Sequence, residues 1–345
     1  MMFKKTFIKE IIDYEICHFF EDNNIKIYSK KNQIFILKKN SHKSVKLPLK
    51  VWKSLFIHNR MLRRLLRLDK MNVSVINENI YLILYQGRVY IYDYSIDYLE
   101  LKFFLKNCRN VLHNSIMVNE NGCIMIGEYG SNKNYQKVPI HVSYDYGKNW
   151  NIKYIFKERE IRHIHGIFFD KYDDCIWICT GDFNEESMIV KSDFYFKKIN
   201  AIGRNSQNFR TCKIFFTKKS VYWSMDSQYE KSYALEYNRK NKKIIKHFSF
   251  PGPVIYSKFF DDGKYIVSTS QELGPSVEDD KVHLYISDNF INWKKIYEFT
   301  HDGYNKNFFK FGLVCFAEGK QLSNNFPVFC EAIKNYDGKV LNCCI

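Results

Sequence analysis

Ser143-Tyr144-Asp145-Tyr146-Gly147-Lys148-Asn149-Trp150 is the stretch whose reading decides the fold. Short Ser and Asp side chains accept hydrogen bonds from the amides of a tight turn, and Gly147 tolerates the positive φ such a turn requires. Trp150 can anchor the turn against the sheet beneath it. The segment therefore reads as a hairpin between two strands. A degraded copy runs from Ile286 to Trp293, keeping Asp288 and Trp293 while losing the Ser and Gly positions, and a weaker one surrounds Asp193 in Lys191-Ser192-Asp193-Phe194.

The copies are regularly placed. Asp145 and Asp193 are 48 residues apart, and Trp150 and Trp293 are 143 apart, close to three such steps. The same step puts comparable strand ends near Val45, Leu99, Lys198, Ile244 and Leu341. Apolar runs bounded by turn residues fill the intervals, among them Gln33 to Leu37, Ile80 to Tyr85, Cys175 to Thr180 and Val282 to Ile286. Aromatics, 29 Phe and 25 Tyr, suit pleated, half-buried strands. A step of this size holds four strands, so the expected fold is all-β, a β-propeller of seven blades, or six should the N-terminal strands complete the last blade. No Pro/Gly/Ser-rich linker interrupts residues 1–345, which are expected to form one domain.

One stretch departs from the β pattern. In Val51 to Leu68, Arg60, Arg63, Arg64 and Arg67 recur at helical spacing beside Leu55, Leu62, Leu65, Leu66 and Leu68. A connecting helix is expected there, leucines against the propeller and arginines outward, and such a basic stripe is also a candidate for peripheral contact with an anionic membrane.

The formal charge of +16 attracts polyanions in general, but the basic residues are spread through solvated turns such as Lys240 to Lys243, and no recognition motif points to nucleic acid. The ten cysteines show no framework or metal-ligand spacing and mostly fall inside apolar runs, so reduced core thiols are expected. The first twenty residues, broken by Glu10, Asp13 and Glu15, do not read as a signal peptide, and no run approaches the length of a membrane span. A cytoplasmic protein without cofactor or bound metal is the expectation.

Turn motifs identify a fold, whereas chemistry belongs to polar residues at one end of successive blades. Glu128 follows Cys123-Ile-Met-Ile-Gly, Asp182 follows Thr180-Gly181, Asp226 follows Trp223-Ser224-Met225, and Glu272 follows Val267 to Gln271. Their recurrence in register predicts four carboxylates ending inner strands of consecutive blades and converging on one pit. His163, His165 and Arg210 lie at strand openings beside them. The two histidines alternate, so they share a face, as a buried hydrogen-bonded pair or as catalytic groups. A His-x-His metal site would need further ligands, which His113, His141 or Glu128 could supply only after folding.

The segment Ser143 to Trp150 resembles the Asp-box, Ser-x-Asp-x-Gly-x-Thr-Trp, departing from it at Asn149. With Gly127-Glu128-Tyr129, Arg162-His163-Ile164-His165-Gly166, Thr180-Gly181-Asp182 and the strand ending near Glu272, it looks like a bacterial branch of sialidase-like propellers with BNR/Asp-box repeats, over roughly residues 75 to 300. The resemblance implies a carbohydrate-active propeller of bacterial polysaccharide metabolism. The Arg-Ile-Pro motif that supplies the first arginine of true sialidases is absent. Arg88, Arg109, Arg162 and Arg210 are left as alternative carboxylate binders.

The expectation is thus a glycosidase-like protein acting on or binding an acidic glycan. Glu128, Asp182, Asp226 and Glu272 are its candidate catalytic groups, and Arg162, His163, His165, Arg210 and Tyr129 its substrate-binding groups. A non-catalytic propeller that binds a glycan or a protein is the alternative.

Overall fold

The computed structural model describes residues 7–345 and shows a seven-bladed β-propeller of antiparallel, four-stranded sheets. Contacts along the chain divide it into two units, residues 71–249 and residues up to 70 together with those from 250 onward.

Residues 71–249 hold the second to fifth blades. Each is a meander: Met71–Val75, Ile80–Tyr85, Arg88–Asp93 and Tyr98–Phe104; then Met117–Val118, Ile124–Gly127, Val138–Ser143 and Asn151–Phe156; then Ile164–Asp170, Cys175–Thr180, Met188–Ser192 and Ile199–Arg204; then Ile214–Phe216, Ser220–Ser224, Ser232–Asn238 and Ile244–Phe250. Second strands such as Ile124–Gly127 and Cys175–Thr180 are buried at every position, because neighbouring blades cover both of their faces. Fourth strands such as Asn151–Phe156 and Ile199–Arg204 are largely exposed on the outside. The core is a series of inter-blade layers, one built on Leu84, Ile91 and Ile126, the next on Met125, Ile140 and Ile178, and a third on Trp177, Trp223 and Leu235.

The quoted turn joins the third and fourth strands of the third blade. Ser143 Oγ accepts from the Gly147 amide at 2.9 Å, and Asp145 accepts from the Asn149 amide at 2.9 Å and from its side chain at 2.7 Å. Gly147 takes φ +83° with Ile91 against its Cα, and Trp150 Nε1 donates to its carbonyl at 2.9 Å. The Asp193 turn occupies the same hairpin of the fourth blade, its carboxylate accepting from the amides of Tyr195, Lys197 and Lys198.

The remaining unit holds the first, sixth and seventh blades. Ile16–Glu21, Ile25–Lys30, Gln33–Lys38 and Ser41–Lys46 make the first; Val254–Phe259, Tyr265–Thr269, Lys281–Ser287 and Lys294–Thr300 make the sixth. The seventh comprises Leu313–Phe316, Phe326–Glu331 and Lys339–Cys343, with Ile8–Ile12 as its outer strand. The N-terminal segment thus completes the last blade and also builds its own, which settles the count at seven rather than six. Trp293 lies on the sixth-blade hairpin equivalent to that of Trp150, but the register differs from the sequence reading. Ser287 and Asn289, not Asp288, supply the turn: Asn289 Oδ1 accepts from the amides of Ile291 and Asn292, and Trp293 Nε1 donates to the Phe290 carbonyl. This turn is one residue shorter than its partner, so alignment on Trp alone displaced the Ser.

The Val51 to Leu68 expectation needs correction. The segment forms two short helices, Val51–Ser54 and Arg60–Leu66, the second starting where the Asn59 side chain accepts from the Leu62 amide at 3.1 Å. The arginines face inward. Arg63 pairs with Glu15, Arg64 with Asp302, and Arg60 with Asp69 and in bidentate fashion with Asp337 at 2.9 and 3.0 Å. Leu55 and Leu65 are exposed instead, as are Val51 and Trp52. Four carboxylates reach this short helix, and a guanidinium satisfies them where a leucine cannot. The stripe proposed for a membrane is therefore consumed within the protein at Arg60, Arg63 and Arg64. No helix among the described residues is long and apolar enough to cross a membrane.

Candidate functional site

The site lies in residues 71–249, at the end of the blades where first strands begin and second strands finish. In an antiparallel meander those two points adjoin. His163 and His165 open the first strand of the fourth blade, Arg210 and Cys212 precede that of the fifth, and Asp182 and Asp226 follow the second strands of the same blades. The recurrence read from the sequence holds, but the acids end second strands and not the innermost ones.

Asp182 is the hub. Its Oδ1 is 3.4 Å from His163 Nε2, His165 Nε2 and Arg210 Nη2, and its Oδ2 is 3.5 Å from Arg162 Nη1. Gly181 before it adopts φ +99°, and a Cβ there would stand 2.5 Å from the Ser187 backbone, so only glycine permits this exit from the strand. Arg210 Nη1 and Gln207 Nε2 both donate to the Asp182 carbonyl at 3.1 Å. Glu186, buried in the turn that follows, accepts from the Arg162 amide at 2.7 Å and the Phe183 amide at 3.2 Å.

The imidazoles are fixed from behind. His163 Nδ1 faces the Gly130 carbonyl at 2.9 Å and His165 Nδ1 the Thr211 carbonyl at 3.2 Å; a carbonyl only accepts, so each Nδ1 carries a proton. Their Nε2 atoms meet at 3.0 Å, with the Tyr129 ring packed 4.4 Å from His163 and 5.9 Å from His165. Asp226 lies deeper, Oδ2 3.6 Å from Arg210 Nη2 and 3.3 Å from the Cys212 thiol that donates to it.

The two carboxyl groups are displaced in opposite directions. Burial would raise Asp182, but the hydrogen bonds and charge of His163 and His165 outweigh it and hold the group well below the ordinary carboxylate range. Burial dominates at Asp226 and pushes it up, the Arg210 and His165 charges and the Cys212 thiol opposing only in part. The Asp182 charge adds to that rise, although burial is its main cause. Linkage then gives opposite pH signatures. Asp182 contributes stability that is present above its unfolded value, about 4, and lost as pH falls. Asp226 contributes stability that is present below that value and lost as pH rises through its folded one. Thermal midpoints of Asp182→Asn and Asp226→Asn from pH 3 to 9 should therefore diverge, the deficit of Asp182→Asn shrinking in acid and that of Asp226→Asn shrinking, or reversing, in alkali. Parallel profiles would refute the assignment.

Other expected members are elsewhere. Glu128 accepts from His141 Nε2 at 3.1 Å and from the amides of Lys106 and Asn107, so it ties a loop to the third blade and leaves the cluster. Burial opposes its charge, yet those hydrogen bonds hold it below the usual glutamate range. His141 and Glu128, offered as metal ligands, are thereby paired with each other. Glu272 follows the second strand of the sixth blade, in register, and belongs to the other unit. Trp223 is wholly buried core, and Arg88 and Arg109 are not among the partners of Asp182.

Sequence reasoning missed the rings outside the hub. Phe183 and Tyr229 are exposed and stacked, centroids 5.6 Å apart and planes 28° apart. The Arg162 guanidinium lies 4.7 Å from the Phe183 ring and 5.3 Å from that of Tyr135, whose hydroxyl accepts from it at 2.9 Å. Arg210 lies 5.9 Å from the Tyr229 ring. Phe183 directly follows Asp182, the one signal that could have drawn it in.

No family model matches this sequence, and no curated protein does. Solved structures share the fold. The extracellular domain of a one-component system from B. thetaiotaomicron superposes over 98% of this chain with a TM-score of 0.53 at 11% identity, and this chain spans 39% of that one. A chain of a mitotic checkpoint complex superposes over 100% of this chain and 98% of its own, with a TM-score of 0.56 at 9% identity. At such identities the likeness is to the propeller fold alone, and the sialidase-like resemblance has no matching family behind it.

Proposed function

We propose that this propeller binds an acidic saccharide at the site on its third to fifth blades. The observation that carries the reading is the exposed Phe183–Tyr229 stack, flanked by the Arg162 guanidinium and the ionised Asp182. A stacked aromatic face suits the C–H face of a sugar ring, a partly exposed guanidinium suits its carboxylate, and an acceptor-only carboxylate suits its hydroxyls. Arg210, buried, holds Asp182 in place. The sialidase-like resemblance and a place in bacterial polysaccharide metabolism belong with this reading. A cytoplasmic setting belongs with it too.

Isothermal titration with uronic- or sialic-acid-bearing oligosaccharides and their neutral counterparts tests it. Binding should favour the acidic ligands, weaken with salt, and fall about tenfold or more in Arg162→Ala, the loss of one charge-assisted hydrogen bond or more. Equal affinity for neutral sugars, or no effect of Arg162→Ala and Phe183→Ala, would sink the reading. Hydrolysis is the second reading, favoured by the opposite displacements of Asp182 and Asp226. Turnover of an acidic glycoside, lost in both amide variants, would move the assignment there.

A further inference from the structure

We propose that His163, His165 and Asp182 form a binding site for a first-row divalent transition metal, with Zn2+ as the representative ion. The inference shares Asp182 with the saccharide reading but is tested without sugar, so that either can fail without the other.

The argument starts from the imidazole tautomers. With both Nδ1 protons donated to the carbonyls of Gly130 and Thr211, both neutral rings present lone pairs at Nε2, and those atoms are 3.0 Å apart. The third atom beside them, Asp182 Oδ1, is 3.4 Å from each and also carries only lone pairs. Where the Nε2 protons that bond Asp182 are lost, three acceptors converge, so a metal ion would compete with those protons for the same position. The separations suit a metal. Ligands held about 2.0–2.1 Å from a common ion lie about 2.9 Å apart at adjacent octahedral positions and about 3.4 Å apart in a tetrahedron, and this triangle spans that interval. A point at such a distance from all three atoms lies just out of their plane, leaving further coordination positions open, the arrangement of two imidazoles and one carboxylate on a single face. Nitrogen ligands in this number disfavour Ca2+ and Mg2+.

The outer contacts fit the same role. Backbone carbonyls on both Nδ1 atoms are what orient metal-binding histidines, and ligating carboxylates are themselves held by donors, as Arg210 and Arg162 hold Asp182. Charge is also consistent. Asp226 stands against Arg210 and Glu186 against Arg162, leaving the Asp182 carboxylate to be balanced from the imidazole side. A competing cluster, His165 with Cys212 and Asp226, would need His165 to ligate through Nδ1. That nitrogen faces the Thr211 carbonyl, so the two sites require opposite tautomers and the first is the one the backbone supports.

The full chain, stripped with a chelator and titrated with Co2+ alone, should bind one equivalent, develop visible d–d absorption, lose that absorption when Zn2+ is added, and melt at a higher temperature with metal than without. His163→Ala and His165→Ala should each lower affinity by about a hundredfold or more, since even outer contacts of a metal site cost about 10–100-fold. Cys212→Ser should bind as the parent does. Absence of stoichiometric binding by the unaltered chain overturns the proposal whatever the folding of the variants, because the Nε2 pair is then bridged by a proton. Binding that survives both histidine changes, or that is lost in Cys212→Ser, overturns it as well.

Discussion

Replacing Arg239 by alanine should destabilise the protein by about 3–5 kcal/mol, because it strands a buried carboxylate. Asp170 ends the first strand of the fourth blade with no exposed surface. Arg239 meets it with two parallel hydrogen bonds, Nη1 to Oδ2 at 2.7 Å and Nη2 to Oδ1 at 3.0 Å, while Nε donates to the Thr217 carbonyl at 2.9 Å. The same guanidinium reaches Asp173 at 2.7 Å at the surface. Lysine keeps the charge but not the fork, so Arg239→Lys should recover only part of the loss. The cost belongs to the unpaired charge rather than to the pair, and Arg239→Met combined with Asp170→Leu should be less harmful than Arg239→Ala alone. Denaturant midpoints of the set would check this, and an Arg239→Ala protein as stable as its parent would refute it.

The second large effect is expected at Arg64, for a related reason. Its Nη1 pairs with Asp302, its Nε donates to the Phe309 carbonyl at 2.8 Å, and its guanidinium lies within 6 Å of the Tyr304 and Phe309 rings, at 5.9 and 5.7 Å. Both partners of the ion pair are buried. Arg64→Ala should therefore cost on the order of 3–5 kcal/mol, with a lower thermal midpoint as the readout. A solvated stripe predicts the opposite, a change within about 0.5 kcal/mol, as surface substitutions generally give. The result also decides how lipid experiments are read: a variant with Arg60, Arg63, Arg64 and Arg67 changed to Ser would lose flotation with liposomes by unfolding, so salt dependence in the parent chain is the informative measurement.

What could be read in the sequence depended on how far apart the interacting residues are. The Ser143 to Trp150 turn is legible because its hydrogen bonds close within seven residues of one another, and its spacing gave the blade size while leaving seven or six blades open. The helical period of the arginines was also legible, but their direction was not, because Glu15, Asp302 and Asp337 come from distant parts of the chain. In the site, register alone selected Asp182, Asp226, His163, His165 and Arg210, since each sits where a strand begins or ends at the same edge. Register selected Glu128 equally well and failed there, because His141 on the adjacent strand hydrogen-bonds it. Cys212, Glu186 and Tyr229 carry no periodic or motif signal, and their proximity is a product of blade packing.

The seventh blade joins strands from opposite ends of the described chain: Ile11 and Ile12 pair with Leu341 and Val340, and Lys339 reaches Asp13 across 326 residues. Bringing such remote segments together carries a loop entropy on the order of 5 kcal/mol, logarithmic in length, which is recovered only if the intervening blades are already ordered. The last blade is consequently the natural place for a cooperative lock. Its outer strand is expected to dock last, and until it does, the edge of Lys339–Cys343 is open to a strand from another molecule. Domain-swapped dimers joined through residues 8–12 would be the signature of assembly at high concentration outrunning this final step.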